Sequence, residues 1–228
     1  LHGVAYDTVP LNEDFSVDVD GMKGTGKFTV LANPNAPTGL ALPLEKVEEI
    51  IASNPDQVVV IDEAYVDFGA ESASSLVGKY ENLLVVMTYS KSRSMAGARL
   101  GFALASRPII QDLEKIKYST NPYNVNRLTL KLGEAAVDSD AYFRENARKI
   151  MDTRAWTADA LKKLGPANGK HRNGVLTREP INPELSTYWA RHSWATIAAS
   201  LDIPNETIAA ALGHSYGNKV TAIYINFD

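Results

Sequence analysis

A chain of 228 residues that is 45% hydrophobic and 22% charged carries enough apolar surface to bury a large core, so a wholly disordered polypeptide is excluded. A formal charge of -4 argues against nonspecific nucleic-acid binding, and no apolar run approaches the roughly 18 residues that a membrane-spanning helix needs. The absence of cysteine removes disulfides and thiolate metal sites, and His2, His171, His192 and His214 lack metal-ligand spacing, so no metal is expected.

The opening LHGVAYDTVPLNEDF lacks the basic-then-apolar order of a signal peptide, and the chain reads as cytoplasmic. Strand-length runs then alternate with helical patterns: FTVLA (28–32), LPLEKVEEIIAS (42–53), VVVID (58–62), NLLVVMTY (82–89) and LGFALAS (100–106). This predicts an α/β fold with a mainly parallel sheet flanked by helices, because Val- and Leu-rich runs with few polar interruptions suit strands covered on both faces. Three helical stretches follow, RPIIQDLEKIKYS, Asn124 to Val137 and Ala141 to Leu164. GPANGKHRNGVLTREPINPE then gathers Gly, Pro and Asn without a period and predicts a linker over 166–184. Beyond it, LSTYWARHSWATIAASL and the segments after Pro204 predict a small all-α unit over 185–228.

Three motifs of the first 165 residues carry chemistry. Asn33-Pro34-Asn35-Ala36-Pro37-Thr38-Gly39 follows a strand and reads as a turn. Asp62-Glu63-Ala64-Tyr65 closes VVVID, and a carboxylate at the C-terminal end of a parallel strand lies where open α/β sheets place ligands. Thr88-Tyr89-Ser90-Lys91-Ser92-Arg93-Ser94-Met95-Ala96-Gly97-Ala98-Arg99 sets a lysine and arginines among hydroxyls, and the flanking LLVVM and LGFAL imply that this loop is anchored in the core.

The order NPNAPTG, DEAY, SKSRSMAGAR resembles fold-type I pyridoxal-phosphate (PLP) aminotransferases, most closely histidinol-phosphate aminotransferases, from the first residues to about 165. The resemblance implies PLP as cofactor and amino transfer between histidinol phosphate and 2-oxoglutarate in histidine biosynthesis. A small-molecule amino or phosphate substrate and a homodimer follow from the same likeness. Lys91 would bond PLP covalently and move the proton, Asp62 would pair with the pyridine nitrogen, and Tyr65 would hydrogen-bond the 3-oxygen. Thr88, Ser90 and Arg99 would hold the phosphate. The residue types suit this chemistry, since a protonated ring nitrogen needs a carboxylate and a dianionic phosphate favours guanidinium and hydroxyl donors. Where the family commonly has Asn before Pro-Thr-Gly this chain has Ala36, and Asn35 is the candidate substitute. The likeness begins mid-protein, lacks a glycine phosphate loop and a stacking aromatic, and stops before a substrate-binding arginine. It therefore implies an incomplete, inactive enzyme.

The tail resembles the end of a tyrosine recombinase, or phage integrase, over about 180–228, with Arg191, His214 and Tyr224 at the positions of the phosphate clamp, the LGH histidine and the nucleophile. From Pro166 onward five Lys or Arg face five acids, so the charge expected of a DNA binder is absent. A DNA strand-exchange fragment, or an inactive chimera of the two families, is the alternative reading. DNA is expected as a partner only in that case, and a membrane in none.

Overall fold

The computed structural model of the chain describes residues 3–36, 38–163 and 207–208. The chain divides into two compact units, Leu1–Ala36 with Leu40–Gly165 and Pro37–Gly39 with Pro166–Asp228. In the second unit Thr38 and Ile208 are buried. The expected helices of 185–228, together with Arg191, His214 and Tyr224, lie outside the described residues except for the helical pair 207–208.

The first unit runs β1 (Thr29–Ala32), α1 (Leu44–Ala52), β2 (Val59–Asp62), β3 (Leu83–Thr88), β4 (Gly101–Ala105), α2 (Arg107–Thr120), α3 (Arg127–Asp138) and α4 (Asp140–Lys163). Each falls within about two or three residues of the run that predicts it. The sheet order is β1-β2-β3-β4. In α1 the apolar spacing Val47, Ile50, Ile51 puts one stripe against the sheet, and all three side chains are fully buried. They meet Leu31, Val59, Ile61, Leu83 and Val85, the alternate residues of β1, β2 and β3. Each fully buried Val, Leu or Ile contributes about 1.5–3 kcal/mol relative to an exposed one.

Two expectations need correction. The sheet is mixed: β1–β2 and β2–β3 are parallel, but β3–β4 is antiparallel. A parallel return needs a crossover, usually helical, whereas the segment from Tyr89 to Leu100 contains only the short 3₁₀ turn Ala96–Ala98 and folds straight back. The strands are also not covered evenly on both faces. Val60 and Leu84 are buried on the face away from α1, but Val30 beside them is 59% exposed and Val86 is 36% exposed. Periodicity reports which residues alternate and not how much of each face is covered.

Register sets the functional edge. Ala32 pairs with Asp62 and Asp62 with Val86, so the C-terminal ends of three parallel strands finish level. Because β4 is antiparallel, its first residue Gly101 pairs with Thr88 and the segment before it arrives at that same edge. A Cβ on Gly101 would lie 2.8 Å from the carbonyl oxygen of Met87, so glycine allows this close return.

Candidate active site

After β1, the Asn33 amide nitrogen donates to the Asp62 carbonyl (2.9 Å), continuing the ladder one residue past the strand. The buried Asn33 side chain accepts from the Leu42 N–H (2.7 Å) and donates to its carbonyl (3.3 Å), which ties the end of β1 to the start of the α1 segment. Asn35 donates its N–H to Leu40 (2.8 Å) and is half-buried beside this edge. Asn33 thus contributes side-chain bonds to the turn expected after β1.

At the end of β2 the exposed Asp62 accepts from the Ala64 N–H through Oδ1 (3.0 Å), while Glu63 turns the other way and is 2% exposed. Glu63 accepts from the Ser72 hydroxyl and the Ala73 N–H, each at 2.6 Å. Burial pushes the Glu63 carboxyl above the usual glutamate range, with the charge of Asp67 adding to it and the two hydrogen bonds opposing. Tyr65 then leads into the 3₁₀ turn Val66–Phe68, closed by Gly69 at φ 110°, a left-handed conformation that glycine adopts without strain.

After β3, the Thr88 hydroxyl accepts from the Ser90 N–H (3.1 Å) and donates to the Leu100 carbonyl (3.4 Å). The Lys91 Nζ lies 5.0 Å from the centre of the Tyr65 ring, and the neighbouring buried Ser92 donates its hydroxyl to Asp67. Arg93 donates to the Ala136 carbonyl of α3 (2.6 Å), pairs with Asp140 (3.3 Å) and stacks its guanidinium 4.1 Å from the Phe143 ring centre. The lysine loop is thus anchored on both sides, as the apolar flanks imply.

Helix α3 is built to receive that loop. Its N-cap Asn126 accepts from the Thr129 N–H (2.9 Å), and Thr129, Gly133 and Ala136 follow at helical spacing along one face. A Cβ on Gly133 would come within 2.6 Å of Leu100, so the glycine lets the helix approach. Ser94 (φ 58°) and Arg99 (φ 54°) take left-handed conformations without being glycine, a strained backbone of the kind that gathers at functional loops.

The lysine, Tyr65 and Asp62 loops therefore converge on one edge of the sheet, with Thr88 and Ser90 beside them. Arg99 reaches the same edge by chain position, but its guanidinium donates to the Ala96 carbonyl (3.1 Å) of its own turn and to neither Thr88 nor Ser90. Sequence reading missed Glu63, Asp67, Ser92 and Arg93. The only local sign was two acids four residues apart after a strand; the partners lie 9 to 47 residues away. An open cleft of about 590 Å³ between Ser94–Ala98 and α3 contains none of the groups on this edge.

The family model for aminotransferase class I and II matches residues 1–201. The chain belongs to this aminotransferase family. The match continues beyond the boundary expected near 165, across the segment read as a linker and through Arg191. A histidinol-phosphate aminotransferase of Brachyspira hyodysenteriae is 51% identical over 158 residues, covering 69% of this chain and 45% of that protein. Histidinol-phosphate aminotransferase 2 of Rhizobium meliloti is 42% identical over 202 residues, covering 88% of this chain and 55% of the other. Among solved structures, the Sinorhizobium meliloti histidinol-phosphate aminotransferase in complex with pyridoxal-5'-phosphate superposes with a TM-score of 0.62 at 27% identity, over 72% of this chain and 46% of that one. The chain spans about half the length of the relatives it matches. No described helix is long and apolar enough to cross a membrane.

Proposed function

We propose that the shared edge of β1–β4 binds PLP and that the chain carries the cofactor-anchoring half of a histidinol-phosphate aminotransferase. The observation that carries this reading is the approach of Lys91 to Tyr65, with Asp62 three residues before that tyrosine at the end of β2. The donor set fits the group: an amine for covalent attachment, a carboxylate for a ring nitrogen, a phenol for a ring hydroxyl, and hydroxyls for a phosphate. When bound, PLP supplies an electron sink for charge developing at the substrate α-carbon.

Each residue then has a defined task. Lys91 would provide the nucleophilic amine and the base that moves a proton at the substrate α-carbon. Asp62, its Oδ1 oriented by the Ala64 N–H, places negative charge opposite the ring nitrogen. Tyr65 presents a phenol on the side that Lys91 reaches, with Asn35 on the neighbouring turn. Ser90 would offer its hydroxyl to the phosphate, and Thr88 and Arg99 would do so by exchanging their present contacts with the Leu100 and Ala96 carbonyls. The substrate assignment rests on the names of the relatives, and a homodimeric assembly on the family resemblance alone. The strand-exchange alternative depends on residues outside those described, and the aminotransferase match covers Arg191.

The test is visible absorbance on adding PLP to the parent chain and to Lys91→Ala. A band present in the parent and lost in the variant is expected. Equal bands in both proteins would remove Lys91 from the site, since surface lysines also capture PLP.

A further inference from the structure

We propose that the hydrogen bond from Ser92 to Asp67 is a clasp that positions Lys91, making Ser92 and Asp67 positioning residues of the lysine site. The inference deepens the cofactor reading above and rests on it for its purpose. Ser92 directly follows Lys91, and Asp67 lies two residues after Tyr65, so one bond joins the two loops next to the lysine–tyrosine approach. The bond spans 25 positions of sequence and its donor residue is 6% exposed, which shields it from competing water.

The surrounding geometry leaves this contact a specific task. On the side of the helices, Arg93 fixes the loop to Ala136 and Asp140, and within the loop the Ser94 N–H bonds Lys91 O (3.1 Å) and the Met95 N–H bonds Tyr89 O (3.0 Å). Those bonds set the loop's internal shape and its hold on α3. Among the described hydrogen bonds, only the one from Ser92 to Asp67 ties this loop to the turn after Tyr65. A reacting group displaced by about 1 Å can lose about a hundredfold in rate, so a bond one residue from the lysine is well placed to control it.

The 228-residue chain is compared with Ser92→Ala, Asp67→Ala and the conservative Ser92→Thr and Asp67→Asn. Without cofactor, amide exchange over 89–95 should quicken about tenfold or more in both alanine variants, while β2 and β3 amides stay protected and Ser92→Thr stays near the parent. With PLP and borohydride, peptide mapping should find the label concentrated on Lys91 in the parent. Relative to other lysines it should fall about tenfold in the alanine variants and recover in Ser92→Thr. Parental exchange and parental Lys91 labelling in folded alanine variants overturn the clasp. If the alanine variants lose strand protection, the Asn and Thr variants decide: labelling that falls in Ser92→Thr as far as in Ser92→Ala, with the strands protected, overturns it too. A parent chain unlabelled at Lys91 sinks the cofactor reading instead, and the cofactor-free exchange measurement keeps the two failures distinct.

Discussion

The sheet with α1 and the helical stretch α2–α3 are neighbours in one unit, yet they use their apolar residues in opposite ways. Val47, Ile50, Ile51, Val59, Ile61, Leu83 and Val85 are all fully buried, whereas no residue of α2 is buried and Ile116 and Tyr118 are 59% and 64% exposed. Helix α3 is intermediate: it buries Thr129 and Gly133 against the lysine loop while Leu128 and Leu130 are exposed. Stability is concentrated on one side of the site and surface on the other. The lysine loop spans them, held by Ser92 toward the sheet and by Arg93 toward α3 and α4.

The largest loss of stability is expected in the core. Ile61 is fully buried at the centre of β2, one residue before Asp62, and packs in the cluster with α1. Ile61→Ala should destabilise the first unit by about 2–5 kcal/mol through lost burial and the cavity left behind. Urea unfolding followed by far-UV circular dichroism measures this, and a loss under about 1 kcal/mol would mean that the core is not the stable side.

Much of this division was legible in the sequence. The runs that became β1, β2, β3 and α1 announce burial by Val and Ile content and by spacing, and the three motifs at their ends announced the edge where they meet. What could not be read was the sense of β4, since LGFALA has the same texture whichever way it runs and only the helix-free connection reverses it. Glu63, Ser92 and Arg93 were equally hidden, because their partners are brought near by the register of β2 against β3 and by the docking of α3, neither of which leaves a mark at the residues themselves. The exposed face of α2 was hidden too: Ile110, Leu113 and Ile116 have helical spacing, and spacing predicts a face without naming what covers it.

The buried side of the site also responds to pH, by a smaller amount. Glu63 is buried on the sheet side and its carboxyl is raised mainly by burial. An acid whose folded pKa exceeds its unfolded one adds stability while protonated, and that contribution is lost as pH rises through the raised value. The urea midpoint should therefore decline as pH climbs from the ordinary glutamate range to somewhat above it. Glu63→Gln should flatten the decline, since glutamine can accept from Ala73 and donate to Ser72. Glu63→Ala should cost about 1–3 kcal/mol by stranding the Ala73 N–H. A pH profile unchanged by the Gln variant would place the titration elsewhere.

The smallest effect belongs on the other side. Ile116 lies in the exposed stretch of α2, and the Ser119 and Thr120 hydroxyls bond its carbonyl rather than its side chain. Replacing the side chain with serine removes little buried surface, and the difference in helix propensity between the two residues is small, so Ile116→Ser should change stability by no more than about 0.5 kcal/mol. This variant also tests the exposure itself. If the α2 surface is open in solution, Ile116→Ser leaves the urea midpoint in place at every protein concentration. A loss comparable to that of Ile61→Ala, growing as the protein is concentrated, would show that the isoleucine is buried against another copy and that the contrast between the two sides belongs to the isolated chain alone.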